Sequence, residues 1–518
     1  MSGSDTSGNG NGTVKITIDG QETEVPAGIN IVEAGRYAGT EIPHYCYHPR
    51  LSVAGNCRIC LVEVEGVPKL QIGCNTAVRE GMVIYTKNDR VSRGRAGVME
   101  FLLVNHPLDC TICDQAGECK LQDYAVDHGD GVARTDFDRL NKPKNVSWGD
   151  KVVFDSERCI LCTRCVRFLD EVAGTDEVSI DHRGENAALI VTGDGQLTSP
   201  YQMNIIDICP VGALTSRDFR FKSRLWFMRF TDTVCTSCAR GCNVTLGSRD
   251  DKILRMVPRD NPDVNDSWMC DHGRLHYEFA NDDSRLATST AGGKTVPHQV
   301  AAQKAAELLK KAGGENTLCV ASPFMTTEEL FALKGVCDAL GVKDRYFLKP
   351  VGEADDMLVH PEKCPNARGA ALAGFAEAPD AWPETEYGAL LYVEPREGAA
   401  LPDEVTARCK QTVVFSLQKG KGDVRLPLTT WIEKDGTFIS AGDRIQKIAK
   451  GTTFDPTMLT EAALLYRMHH ALDEGFETPV TAAQAFARWA DENESTNGLR
   501  WKDLGRFGVS METAEAAV

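Results

Sequence analysis

Basic residues are in short supply in this sequence: 57 Lys and Arg stand against 74 Asp and Glu, a net charge of −17 over 518 residues. Nucleic acid recognition needs clustered cations to neutralise phosphates, so that class of partner is disfavoured, and the acid excess reads as a well-solvated surface. Also missing is any apolar run long enough to cross a bilayer, so the chain is expected to be soluble by itself. The opening MSGSDTSGNGNG has no basic stretch followed by an apolar one, and residues 1–13 are expected to form a disordered polar leader rather than a signal peptide. No G-x-G-x-x-G turn follows a strand-like run, so no NADH site is expected. No activated nucleophile and no paired carboxylates stand out, and no catalytic residue is assigned.

What the chain has instead is cysteine in clusters. Of its 19 cysteines, 15 fall between Cys46 and Cys270, in groups with two-residue gaps. A secreted disulfide scaffold disperses its cysteines, whereas this pattern argues for a reducing, cytosolic-side compartment and for metal ligation. The central stretch holds His106, Cys110, Cys113 and Cys119 at spacings x3, x2 and x5. Four such ligands suit a [4Fe-4S] cluster with one imidazole, and zinc held by three cysteines and a histidine is the competitor. Neutral imidazole in place of a thiolate removes one negative charge from a cluster and should raise its potential. Val91, Val98, Phe101 and Leu102 recur at helical spacing ahead of His106, and 120–127 reads as a short helix.

Cys159-x2-Cys162-x2-Cys165 begins like a bacterial ferredoxin run, whose fourth cysteine should stand where Leu169 is. Cys209-Pro210 is the tail of a second run, and its template places three cysteines where Ser199, Gln202 and Ile205 stand. The pattern is that of a two-cluster module that has lost one cluster, and ligand crossover in such modules makes Cys209 the fourth ligand of Cys159, Cys162 and Cys165. A last set, Cys235-x2-Cys238-x3-Cys242, is completed by Cys270 after a hairpin-like insertion over 243–258. Spacing alone also admits a zinc ribbon here.

Residues 14–95 read as a small sheet domain, with strands over 14–19, 22–25, 61–64, 70–74 and 82–86 and helical character over 29–37. On that frame sit Cys46, Cys57, Cys60 and Cys74, in the pattern C-x10-C-x2-C-x13-C. The set departs from plant-type ferredoxin spacing by its longer first gap, and resembles the [2Fe-2S] domain that opens respiratory complex I and iron-only hydrogenase chains. The last set and the Trp268-Met269-Cys270-Asp271-His272-Gly273-Arg274 that ends it resemble the cluster segment of molybdopterin oxidoreductases. Taken in order, the four sets resemble the large iron-sulfur subunit of respiratory complex I, strongly over 14–285.

Beyond residue 285, helical character over 298–309, a buried strand over 318–322, a Thr326–Glu329 capping box, and β-rich runs at 389–393 and 413–417 predict βα alternation and a parallel sheet. Pro365-Asn366-Ala367-Arg368-Gly369 and Glu433-Lys434-Asp435-Gly436-Thr437-Phe438 resemble landmarks of the family's molybdopterin-oxidoreductase-like region, with Ser440 where Asn is usual. That region looks shortened, and 456–518 reads as amphipathic helices against a partner. Cys319, Cys337, Cys364 and Cys409 are isolated and read as small buried hydrophobes.

The expected fold is therefore multidomain, α+β and α/β. Its parts are the leader (1–13), a β-grasp [2Fe-2S] ferredoxin domain (14–95), a [4Fe-4S] segment with one histidine and three cysteine ligands (96–140), a degenerate ferredoxin module (141–227), a [4Fe-4S] domain of molybdopterin-oxidoreductase type (228–284), a truncated molybdopterin-oxidoreductase-like α/β region (285–455) and a helical tail (456–518). The resemblance implies one [2Fe-2S] and three [4Fe-4S] clusters and no molybdenum cofactor. It implies electron transfer from a flavin- and NADH-binding subunit to a ferredoxin-like subunit, within a proton-translocating NADH-quinone oxidoreductase. The chain would then be a peripheral subunit on the cytoplasmic side of the inner membrane, touching the membrane arm only indirectly. A NAD-linked formate dehydrogenase or hydrogenase chain, or a zinc scaffold, would be the alternative.

Overall fold

The computed structural model describes residues 12–132, 134–136, 138–396 and 398–512. Most of the expected leader lies outside them. The chain divides into two compact units, Met1–Phe227 and Met228–Val518.

The first unit opens with a five-stranded sheet, in the order Gln21–Pro26, Thr13–Ile18, Val83–Tyr85, Leu61–Val64, Gln71–Ile72. Thr13–Ile18 pairs antiparallel with Gln21–Pro26 and parallel with Val83–Tyr85. Alternation puts Ile16 and Ile18 on one face, where they pack with Val25, Ile31, Val32, Val62 and Ile84. Asn30 caps the helix Ile31–Tyr37 by accepting from the Glu33 amide, which satisfies a donor the first turn leaves orphaned. The strand expected over 70–74 stops at Ile72. Gly73 donates to the Cys60 carbonyl at 2.9 Å and the chain tightens into a 3-10 turn, Gly73–Asn75, that swings Cys74 inward.

After the helices Asp89–Leu103 and Lys120–His128 comes a small sheet of Leu214–Ser216, Val152–Phe154 and Val146–Ser147. The helix Arg164–Glu171 and the short helix Asn204–Asp207 pack together beside it. Leu169, Ser199, Gln202 and Ile205, which stand where a second cysteine set would be, are all buried. Packed side chains occupy the positions that the template gives to a second cysteine set.

The second unit begins with the antiparallel strands Arg229–Val234, Asn243–Arg249 and Lys252–Pro258, the last two forming the expected hairpin. Its centre is an eight-stranded sheet. Val424–Pro427, Thr412–Ser416, Ala389–Val393, Thr317–Ala321, Asp344–Phe347 and Ala376–Glu377 run parallel in that order, and Ser289–Ala291 with Lys294–Val296 adds an antiparallel edge. Ala389–Val393 is buried at every position, as a strand covered on both faces must be. The helix Thr327–Leu340 starts at the expected Thr326–Glu329 capping box.

Residues 456–512 do not behave as helices awaiting a partner. Leu464, Leu465, Tyr466 and Met468 of the helix Glu461–Leu472 enter the main core. Phe486 and Trp489 of the helix Ala482–Glu492 pack against Ile439 and Ile445, and Val509–Ser510 pairs with Arg444–Ile448. The apolar stripe that suggested an intermolecular contact is met from within the chain. Cys319, Cys337 and Cys364 lie in the main core, and Cys409 packs partly buried against a smaller one.

Candidate metal centres

Cys46, Cys57, Cys60 and Cys74 are buried together between the loop that follows the first helix and the turn at Gly73–Asn75. Their thiols form a hydrogen-bonded chain from Cys57 to Cys46 to Cys74 to Cys60. Donation from Cys57 and Cys74 holds Cys46 far below the usual thiol range, and the same contacts drive those two upward. The Cys46 amide also points at Cys57 Sγ, at 3.4 Å. Arg58, between Cys57 and Cys60, takes φ 63°, a left-handed conformation that the tight turn between the two cysteines exacts from a non-glycine residue.

The second set spans the turn Cys110–Ile112 and the start of the helix Lys120–His128. Cys113 and Cys119 are buried and Cys110 is exposed. Burial raises both buried thiols, with Arg158 opposing it at Cys113. His106 is enclosed too: burial lowers its pKa to about 4, so the ring is neutral near pH 7. Its Nδ1 is buried without a hydrogen-bond partner. Buried polar atoms are nearly always paired, and a neutral imidazole nitrogen left open is what a metal ligand looks like before the metal is counted.

Cys159, Cys162, Cys165 and Cys209 line one enclosed space, together with Phe154, Ile205 and Val211. The structure thus brings Cys209 to the three cysteines far upstream of it. Burial pushes Cys159 and Cys209 up to about 12 and raises Cys165 well above the usual thiol range. Amides of Leu161, Val211, Ala213 and Leu214 turn toward these sulfurs, so the backbone favours thiolate once a cation is present to displace the proton. Leu161 and Thr163, either side of Cys162, both have positive φ.

These three sites are neighbours, in an order different from that along the chain. Gly212 sits so close to the second set that a Cβ there would stand 2.2 Å from Cys113 Sγ, and the Cys119 thiol faces the Pro210 carbonyl. Hence one loop, 209–212, serves the third set at its start and walls the second. On the other side, Cys46 lies in the electrostatic field of Cys162. The third set is therefore the middle one.

In the second unit, Cys235, Cys238 and Cys242 are buried and Cys270 is half-buried. The Cys235 amide donates to the Cys242 carbonyl at 2.9 Å, and Cys270 Sγ accepts from Gly273 N at 3.3 Å. A Cβ on Gly273 would come within 3.0 Å of Cys235 Sγ and 3.3 Å of Cys270 Sγ, so only glycine leaves room beside the sulfurs. Burial raises Cys235, Cys242 and Cys270, the last to about 12.

Among the described residues, no three or more His, Cys, Asp or Glu side chains close to the arrangement a single ion needs. Tetrahedral zinc holds each sulfur about 2.3 Å from one point. Sets of thiols, one of them with a neutral imidazole, carry the donors that an iron-sulfur core takes.

The comparisons with known proteins agree. Residues 11–89 match the model of a 2Fe-2S iron-sulfur cluster binding domain, 95–131 the NADH-ubiquinone oxidoreductase-G iron-sulfur binding region, 149–215 the ferredoxin-like domain of NADH-quinone oxidoreductase subunit 3, and 228–282 the molybdopterin oxidoreductase Fe4S4 domain. The G subunit of NADH-quinone oxidoreductase from Rickettsia bellii is 40% identical over 331 residues, covering 63% of this chain and 48% of that protein. Over those residues the chain resembles the large iron-sulfur subunit of complex I. The mitochondrial NADH dehydrogenase [ubiquinone] iron-sulfur protein 1 of Solanum tuberosum is 39% identical over 333 residues, covering 63% of the chain and 45% of that protein. The chain spans about half the length of these curated relatives. A solved NAD+-reducing [NiFe]-hydrogenase chain is 29% identical, with a TM-score of 0.37, over 41% of this chain and 91% of that one.

Beside these cysteine sets stand cations that ligand spacing did not single out. Arg158 pairs with Asp109 at 2.7 Å and Asp155 at 3.3 Å, facing Cys113, and Arg224 donates to the Cys113 carbonyl at 2.6 Å. Arg164 and Arg167 lie between the first and third sets. Arg396 donates to Thr236 Oγ1 at 2.7 Å, next to Cys235, and its charge opposes the upward push of burial there. The signal available was an arginine within or just after a cysteine run, as in Thr163-Arg164-Cys165-Val166-Arg167. Arg396 had none, because only folding brings it to Thr236.

Proposed function

We propose that this chain is the iron-sulfur electron-transfer subunit of a proton-translocating NADH-quinone oxidoreductase. It would hold one [2Fe-2S] cluster on Cys46, Cys57, Cys60 and Cys74. Three [4Fe-4S] clusters would sit on His106 with Cys110, Cys113 and Cys119, on Cys159, Cys162, Cys165 and Cys209, and on Cys235, Cys238, Cys242 and Cys270. Its functional parts would divide near residues 95, 140, 227, 284 and 455. Electrons would arrive from a flavin subunit that binds NADH and leave through a ferredoxin-like subunit toward quinone, on the cytoplasmic side of the membrane. No helix among the described residues is long and apolar enough to cross a membrane, which fits a peripheral place in the assembly.

The observation that carries this reading is the adjacency of three ligand sets through the 209–212 loop and the 162–167 segment. Such clusters, when bound, accept and release one electron at a time. The chain's own residues do the rest. Buried thiols surrounded by amides supply negative ligands in a low-dielectric pocket; His106 supplies a neutral one; Phe154, Ile205 and Val211 keep water from the third site.

Metal analysis with low-temperature electron paramagnetic resonance tests it. The anaerobically prepared full chain should carry about 14 iron atoms, one binuclear and three cubane centres. About ten irons with one zinc would remove the fourth assignment and leave the others standing. Stoichiometric zinc throughout, in a colourless protein, would overturn the electron-transfer reading.

A further inference from the structure

Two arginines on one helix reach both the first and the third cysteine sets. Arg164 Nη1 donates to the Ile208 carbonyl, immediately before Cys209, at 2.9 Å, and its Nη2 donates to the Tyr47 carbonyl, immediately after Cys46. One turn on, Arg167 Nη2 donates to the carbonyls of Cys46, at 2.6 Å, and Cys162, at 3.2 Å. Its Nη1 holds the Ser52 carbonyl of the first-site loop. Each guanidinium thus grips a ligand or a ligand's neighbour on either side, and the planar fork of arginine makes such two-sided grips possible where lysine offers a single point.

The charge is as shared as the hydrogen bonds. Arg164 carries its charge two residues after Cys162 and one before Cys165, and its guanidinium reaches the residues adjoining Cys46 and Cys209. Arg167 places a second charge on the carbonyls of Cys46 and Cys162 themselves. A cation fixed beside ligands of both sets favours added negative charge on either.

We propose that Arg164 and Arg167 are positioning residues that bridge the first and third cysteine sites, holding their loops in register and raising the reduction potentials of both bound groups together. Reduction adds one negative charge at a site. A cation fixed between the two lowers the free energy of reduced over oxidised on each side. The effect acts in the same direction at both sites. The proposal rests on the ligand assignment above.

The test is a redox titration of the cluster-loaded full chain, followed by electron paramagnetic resonance at temperatures that separate binuclear from cubane signals. Arg164→Gln should shift the reduced-to-oxidised ratio at both sites by about tenfold toward oxidised at a given potential, which is about 59 mV lower for a one-electron couple. Second- and fourth-site potentials should stay put, and Arg164→Lys should recover most of the shift by restoring the charge. Unchanged potentials in a variant that keeps both signals, or movement at only one of the two sites, would overturn the bridge. If Arg164→Gln does not assemble, Arg167→Gln carries the test: both potentials fall, or the proposal is wrong. A wild-type chain lacking separate first- and third-site signals would instead overturn the ligand assignment itself.

Discussion

At the scale of single residues, Cys209 shows how far spacing alone reaches. Its role rests on the ferredoxin template with Leu169 in the broken position, and the structure sets its thiol in one cavity with Cys159, Cys162 and Cys165. Cys209→Ser should therefore abolish the third-site signal while the first-site signal persists, read by paramagnetic resonance on the purified chain; a third-site spectrum that survives would mean the crossover does not occur. His106 had an equally local signature, a histidine four residues before a cysteine run, and the structure leaves its Nδ1 buried without a hydrogen-bond partner. Arg164 and Arg396 were not so legible. A thiol's partners are set by short spacings along the chain, whereas a guanidinium acts on whatever the fold brings within reach of its long stem. The same holds for Lys434, whose ammonium lies 2.9 Å from Glu329 and 3.2 Å from Glu461 in the core of the second unit. A charged residue in a family landmark says nothing of the two carboxylates that neutralise it.

Among the elements, the helix Thr327–Leu340 was legible nearly to the residue, since a capping box and a stripe of Leu330, Leu333 and Val336 are local patterns. What stayed hidden is that its first turn is buried. Glu328 accepts from the amide and hydroxyl of Thr437, both at 2.9 Å, yet burial dominates and pushes its pKa up to about 7. An acid whose folded pKa exceeds the unfolded value, about 4.3, binds more protons in the native state than in the unfolded state between those two values. Stability from this group is then fully present below about pH 4 and is lost as pH rises toward 7, on the order of 3 kcal/mol in all. Glu328→Gln keeps an acceptor for Thr437 and removes the titration. Thermal unfolding of the chain between pH 5.5 and 8 should show the variant gaining on the wild type as pH rises. A constant difference across that window would mean that Glu328 ionises in the fold as it does in the unfolded chain. Short strands were the other limit of legibility: the run over 70–74 is apolar enough for a strand, but Gly73 turns it so that Cys74 joins the other buried cysteines instead of continuing the sheet.

At the scale of the whole molecule, the α/β alternation and the parallel sheet were legible because each strand and helix announces itself locally. The place of the C-terminal helices was not, since an amphipathic stripe does not say whose core it enters. That placement bears on the last question the family resemblance raises, whether the second unit holds molybdenum or tungsten on a pterin. Ligand pockets for groups of that size run to several hundred Å³. The cavity beside the fourth cysteine set, lined by Thr236, Phe279, Arg396, Trp431, Lys434 and Glu461, measures about 40 Å³. Its walls are committed elsewhere: Arg396 stacks over Phe279 and Phe324, Lys434 is locked between two carboxylates, and Glu461 arrives on the helix that completes the core. Cys364, the one thiol that could invite a metal there, is fully buried in that core with its pKa pushed up to about 12 by burial. Opening a pterin-sized space would mean expelling the helix Glu461–Leu472 and stranding a buried ion triad, several kcal/mol of lost packing and pairing. Elemental analysis of the purified chain should find molybdenum and tungsten at background, and Cys364→Ala should leave the four cluster signals intact while costing at most a modest cavity penalty, about 1–2 kcal/mol. Stoichiometric molybdenum, together with formate-dependent dye reduction abolished by the same substitution, would replace the quinone-reductase reading proposed above with a formate dehydrogenase one.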